Sequence, residues 1–207
     1  MAEGSRPNHE EAVPLKARLT AAARDLLERE GLAALSLRGA ARACGVSHMA
    51  PYRHFASKDD LLAAVAEQGF RDLSAALDAA DAARGPEDAH GLALGVAYVE
   101  FARANPALYR LMFGAVLGPC GRFPGLVAAG QAAFERCIQS ARRLGFDCAP
   151  SEASAPPPVA AAIWALAHGL SSLAIDGQIP LPEDRAARAA FIGGVLAVSF
   201  GGVALHA

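Results

Sequence analysis

Apolar positions in the first sixty residues recur every three or four places and are interrupted by glycine, the pattern of short amphipathic helices. Leu19, Ala22, Ala23, Leu26 and Leu27 form one stripe, and Gly31 supplies a left-handed stop behind it. Ser36 can cap a second helix whose stripe is Leu37, Ala40, Ala41 and Cys44, and Gly45 ends it after barely two turns. Ser47 opens a third helix at once, with Val46 as an apolar pin between the two. Pro51 falls early in that third helix, where it removes only the first regular bond, to the carbonyl of Ser47. It also biases Ala50 away from helical geometry. The expectation is a tight or irregular opening turn, with a regular stretch only through Tyr52 to Phe55. Ser57 begins the next helix, which places Asp59 and Asp60 at the positive end of its dipole and runs to about Ala82.

Further helices are predicted at roughly 86–104, just after Asn105-Pro106, at about 123–144, 159–175 and 182–203. A polar, proline-rich loop occupies 147–158. No segment alternates as a strand would. The reading is all-α with about nine helices: a tail over 1–14, a small domain over 15–60, and a larger helical domain over 61–207. Helix, short glycine turn and second short helix is the helix-turn-helix layout.

Composition narrows this picture. Of 207 residues 53% are hydrophobic and only 6% aromatic, an alanine-rich chain too apolar to be disordered and long enough to bury a core. A formal net charge of −2 gives no global attraction to nucleic acid, so any such face is a local patch. Cys44, Cys120, Cys137 and Cys148 lie far apart, as thiols in a reducing cytoplasm do, and not as disulfides or a zinc site. The opening MAEGSRPNHEEAVP lacks the apolar core of a secretion signal.

The uncharged run 189–205 approaches the length of a membrane span, yet it is short and carries two Gly-Gly pairs. No Lys or Arg cluster follows it. Gly193, Ala197 and Gly201 stand four apart and offer a smooth stripe to a second helix. Membrane helix dimers use the same spacing, but a buried helix at a subunit interface suits this run better.

The chemistry concentrates around the glycine turn. Arg38 projects from the helix before it; His48, Met49, Tyr52, Arg53 and His54 come from the helix after it, and Lys58 from the next. A helix entering a major groove presents its N-terminal residues to base edges. Arginine reads guanine bidentately and methionine can meet a thymine methyl, while tyrosine, histidine and lysine suit phosphates. The same groups also fit an ordinary solvated surface, and Asp25, Glu28, Glu30, Asp59 and Asp60 dilute the positive charge.

"LSLRGAARACGVSHMAPYRHFASKDDLL", residues 35 to 62, resembles the DNA-binding domain of the TetR family of bacterial repressors. Gly45-Val46-Ser47 matches the family's turn, Tyr52-Arg53-His54-Phe55 the end of its recognition helix, and Ser57-Lys58-Asp59 the start of the following helix. The resemblance is specific over the first third of the chain and rests on length and layout beyond it. It implies base contacts from Arg38, His48, Met49 and Tyr52, and phosphate contacts from Ser36, Tyr52, His54 and Lys58. Arg53 suits either task, and Val46 and Phe55 are implied as core. Ala50 stands where the family commonly has threonine or serine, which removes one phosphate contact. Pro51 replaces a frequent leucine, its ring still filling the core side.

"IWALAHGLSSLAIDG", residues 163 to 177, is similar to a C-terminal subgroup of the same family named for its Trp, His and Gly. Trp164 and His168 share a helix face and Gly169 permits close approach. His168 is then either the polar handle of a ligand pocket or a hydrogen-bonded core residue. Phe101, Tyr109, Met112, Phe113, Phe123 and Phe134 complete a candidate apolar cavity suited to a hydrophobic or aromatic small molecule. No second ligand stands at metal spacing from His168, no cofactor is implied, and no nucleophile–base pair or phosphate loop suggests an enzyme. The expectation is a cytoplasmic, homodimeric repressor that binds a near-palindromic duplex and is released by a small, largely apolar ligand. A DNA binder without an effector and a cysteine-based redox regulator are the alternatives.

Overall fold

In the computed structural model the residues described are 13–83, 90–118, 120–149 and 155–203. They hold eight α-helices and no strand: α1 Leu15–Glu30, α2 Leu37–Ala43, α3 Lys58–Ala83, α4 His90–Ala104, α5 Pro106–Phe113, α6 Pro124–Arg143, α7 Pro158–Ile175 and α8 Arg185–Val203. Three short 3-10 turns lie at Ala50–Arg53, Ala115–Leu117 and Cys120–Arg122. The first occupies the place of the ninth helix. The chain divides into two compact units at Val65/Ala66, a point inside α3. Nearly all of the expected tail over 1–14 and part of the 147–158 loop fall outside the described residues.

In the N-terminal unit local chemistry sets each boundary. Gly31, at φ 80°, donates its N–H to Leu27 and closes α1. The Ser36 hydroxyl accepts the Gly39 N–H at 3.0 Å and starts α2. At the end of α2, Gly45 takes φ 66° and donates to Arg42, while Val46 donates to Ala41, the paired bonds of a Schellman stop. A side chain in place of Gly45 would strain that turn. Ser57 accepts the Asp60 N–H at 3.2 Å and donates to its carboxylate at 2.8 Å, opening α3. The stripe buries as expected: Leu19, Ala23, Leu26, Leu27, Leu35 and Leu37 are all core, together with Phe55, Leu61 and Leu62. Val46 is only half-buried, a pin at the margin of the core.

The segment around Pro51 departs from the expectation of a regular helix over 52–55. Because Pro51 has no N–H, the Ser47 carbonyl is taken by Ala50 at 2.9 Å, and Met49 in turn accepts Tyr52 at 3.3 Å. The bonds span three residues throughout this stretch. A four-residue span returns only where Phe55 donates to Pro51 at 2.9 Å. The proline ring itself is fully buried.

In the C-terminal unit α4 is the central helix, packed on α5, α6, α7 and α8. Small residues let neighbours close in: a Cβ at Gly95 would collide with Leu196 of α8, and one at Gly69 with Met112 of α5. Arg188 is buried against Glu100 and donates to the carbonyls of Pro182 and Glu183 at 2.8 and 2.7 Å. Burial pushes the Glu100 carboxyl up, but hydrogen bonds from Arg188 and Arg103 outweigh it and hold the pKa low. Arg136 of α6 grips Asp78 of α3 through two bonds of 2.7 and 2.6 Å, and Arg143 pairs with Asp81. Among the described residues α7 alone is long and apolar enough to span a bilayer, and it packs on α4 and α6. The uncharged run at 189–205 is not that helix.

Candidate functional sites

The first site is the outer face of the N-terminal unit. Residues 13–65 carry eight Lys and Arg against five Asp and Glu, while 66–207 carry ten against thirteen, so positive charge gathers here despite the acidic whole. In the 3-10 turn only Pro51 is buried. His48, Arg53 and His54 are exposed, Met49 is 60% exposed and Tyr52 46%. Leaving a methionine and a tyrosine so bare costs burial, which a surface without a partner does not recover. Arg38 is exposed on α2 nearby. None of Arg38, Arg53, His48 and His54 forms an ion pair among the described residues.

The residues expected at phosphates are partly engaged. The Ser36 oxygen serves Gly39 as a cap, which leaves its proton to donate. Lys58 gives one N–H to the Leu32 carbonyl at 3.3 Å and keeps two. Arg18 donates to the Cys44 carbonyl at 3.0 Å and braces the end of α2. Lys16 lies 5.9 Å over the Phe55 ring.

The second site is a cavity of about 690 Å³ inside the C-terminal unit. Five helices build its wall: Phe70, Leu73 and Leu77 from α3, Leu94 and Tyr98 from α4, Phe113 from α5, Phe134, Cys137 and Ile138 from α6, and Ile163, Trp164 and Ala167 from α7. Of the pocket residues read from the sequence, Phe113, Phe134 and Trp164 stand on this wall. Phe101 and Met112 are buried elsewhere in the core, Met112 against Gly69. Tyr109 and His168 stand behind the wall. A Cβ added at Gly169, read as a close-approach position, would meet no neighbouring element within 4 Å among the described residues.

A hydrogen-bonded cluster joins the wall to what lies behind it. The Tyr109 hydroxyl is 2.7 Å from His168 Nδ1 and donates to the Tyr98 hydroxyl at 3.2 Å, which also accepts Trp164 Nε1–H at 3.2 Å. Tyr98 is 3.4 Å from the same His168 nitrogen. Ring contacts knit the group, with Phe113 4.7 Å from His168, 4.8 Å from Tyr109 and edge-on to Phe70 at 5.1 Å. Burial lowers the His168 pKa and raises those of both tyrosines, so all three groups are neutral near pH 7. His168 hydrogen-bonds to both tyrosines behind the wall. Sequence reasoning missed Tyr98; the signal was a phenol inside the apolar stripe of Leu94 and Ala102, which must find a partner when buried.

Burial also pushes the Cys137 thiol up to about 12, and its Sγ donates to the Ala160 carbonyl at 3.3 Å. Cys44, Cys137 and Cys148 are free; the side chain of Cys120 lies outside the described residues. No three His, Cys, Asp or Glu converge as a metal site among the described residues. On α8, Gly193 and Gly194 face open space, and Phe191 and Val198 are exposed beside them. The helix continues through Gly201, whose surroundings lie outside the described residues.

A helix-turn-helix unit joined to a helical unit with a cavity is the form of a DNA-binding regulator. Residues 19–65 match the family described as bacterial regulatory proteins of the tetR family, and 91–193 the tetracyclin repressor-like C-terminal domain. The chain belongs to the TetR family of bacterial transcriptional regulators, which bind DNA and are not enzymes. A solved structure of a protein of unknown function from Rhodococcus sp. RHA1 shares 35% identity at a TM-score of 0.70, covering 95% of this chain and 96% of that one. The TetR regulator PfmR from Thermus thermophilus shares the fold at 22% identity and a TM-score of 0.58, covering 87% and 97%. So does the multidrug binding protein EbrR, solved with imidazole, at 20% identity and a TM-score of 0.61, covering 94% and 97%. No curated protein matches the chain.

Proposed function

We propose that this regulator is a cytoplasmic homodimeric repressor, released from a near-palindromic operator by a small, largely apolar ligand. The DNA-binding domain is read as 15–60 and the effector and dimerisation domain as 61–207. The observation that carries the DNA-binding part is the 3-10 turn that buries one proline and bares the side chains that follow it. Arg38, His48, Met49, Tyr52 and Arg53 are assigned to bases, and Ser36, Tyr52, His54 and Lys58 to phosphates.

Dimerisation is assigned to α7 and α8. Leu173 of α7 and Phe191 and Val198 of α8 are exposed, and α8 carries the small-residue stripe of Gly193, Ala197 and Gly201. Release is assigned to the cavity, because α3 supplies part of its wall and runs back without a break into the N-terminal unit. A ligand that favours one arrangement of α3 shifts the protein only by its difference in affinity for the two states.

Selection of duplexes from a random pool by the purified protein tests this reading. The expected result is a near-palindromic motif with half-sites about one helical turn apart or somewhat more. No enrichment overturns it. A redox role for Cys137 is disfavoured, because its thiol is protonated at neutral pH and therefore a poor nucleophile. The effector-free alternative is disfavoured by the cavity.

A further inference from the structure

The charges and protons of the cavity wall restrict what can enter it. Among the described residues that line it there is no Lys, Arg or His. The single formal charge is Glu135, which stands exposed on α6 and is answered by Arg142 at 3.6 Å. An anionic ligand would therefore be buried without a counter-charge, and a cationic one would meet aromatic faces but no carboxylate free of a partner. Five aromatic rings make up much of the remaining surface, from Phe70, Tyr98, Phe113, Phe134 and Trp164.

Beside Gln131 and Ser140, the hydrogen-bonded cluster supplies a polar handle. Trp164 Nε1 can only donate, so one lone pair of the Tyr98 oxygen is taken. If His168 Nδ1 bears a proton, it donates to Tyr109, Tyr109 donates to Tyr98, and the Tyr98 proton has no acceptor within the cluster. If Nδ1 is bare it takes the Tyr109 proton. The Tyr98 proton then goes to the Tyr109 oxygen 3.2 Å away, and the cluster is closed on itself. The Nδ1-protonated tautomer therefore leaves the Tyr98 proton for a ligand, and Tyr98 is the member of the Tyr98, Tyr109 and His168 set that lines the cavity.

We infer that the cavity selects an uncharged, largely aromatic molecule bearing a carbonyl-type oxygen, which accepts the Tyr98 hydroxyl proton. This rests on the proposed effector role of the same cavity. Tyr98 is its specificity-determining residue, held in place by Trp164 and Tyr109.

The test is calorimetric titration of the full chain with four probes built on one two-ring body. These are benzophenone, diphenylmethane, benzophenone-4-carboxylate and 4-trimethylammonio-benzophenone. The ketone is expected to bind about five- to tenfold more tightly than diphenylmethane, the worth of one neutral hydrogen bond. Both charged probes are expected to bind at least about tenfold more weakly than the ketone. Tyr98→Phe should abolish the preference for ketone over diphenylmethane. The inference is overturned if either charged probe matches the ketone, if the preference survives Tyr98→Phe, or if none of the four binds. Should Tyr98→Phe not fold, the ranking of the four on the unaltered chain still decides. Operator occupancy is followed in parallel with selected DNA. Release by the carboxylate alone would overturn this ligand class and keep the regulator reading. Ketone binding with unaltered occupancy would keep the class and overturn ligand-driven release.

Discussion

The two sites of this regulator are built in opposite senses. The segment around the 3-10 turn carries its chemistry outward on His48, Met49, Tyr52, Arg53 and His54, beside one buried proline. The cavity carries its chemistry inward on five helices, and its polar groups are bonded to one another. In the first, side chains that recognise a partner contribute almost nothing to folding. In the second, the recognising side chains are also core, so changing recognition changes stability. The difference separates substitutions that act on specificity alone from those that act on both.

The largest effect expected from this contrast is on folding. Phe113→Ala removes a ring that touches Phe70, Tyr109, Trp164 and His168, and should cost about 3 kcal/mol in urea unfolding. Met49→Ala, at an exposed position, should stay within about 0.5 kcal/mol. Comparable losses in both would break the comparison.

Among the outward groups, Met49→Ala should change which base is preferred in a half-site, by about 1 kcal/mol in competition binding. Lys58→Ala should instead weaken all sequences alike and lower the slope of log affinity against log salt by roughly one. His54→Ala should also weaken all sequences evenly. A uniform loss for Met49→Ala would merge the two roles.

The inward cluster should respond to acid. His168 has its pKa lowered by burial, so the unfolded chain takes up the proton first. Its contribution to stability is complete above the ordinary histidine value of 6.5 and is lost as pH falls from there towards the lowered folded value. Melting temperatures between pH 7.5 and 5.5 should decline less steeply in His168→Gln than in the unaltered chain. Equal slopes would mean that the imidazole is not held neutral.

Smallest is the surface clamp between α3 and α6. Arg136→Met should cost less than about 1 kcal/mol, since Asp78 is more than half exposed. The Arg136 hydrogen bond lowers the Asp78 pKa, so what the pair contributes is present above about 3.8 and fades as pH falls below it. Urea midpoints at pH 7 and 3 should therefore converge for the two proteins at the lower pH.

Legibility followed the same divide. Gly31, Ser36, Gly45 and Ser57 act on bonds a few residues away, so their helix ends could be read from the sequence and lie where the spacing puts them. The span over Tyr52–Phe55 was misjudged because the bond lost at Pro51 is replaced one residue earlier, not merely omitted. The cavity wall was legible only in part. Phe70, Leu73 and Leu77 have the periodicity of any core stripe, and nothing local distinguishes a residue facing a void from one facing a neighbour. Conversely Met112 looked like a wall residue, yet Gly69, more than forty positions away, leaves the room that Met112 fills. Pairings of that kind belong to tertiary structure.

The single buried proline has a practical corollary. A recognition turn anchored by one buried ring, with exposed His48, Met49, Tyr52, Arg53 and His54 around it, is a natural cassette for library design. Those five positions can be randomised together with little penalty in expression, provided Pro51 is left alone. Retargeting to a new operator then becomes a search over surface chemistry, not a contest with the core.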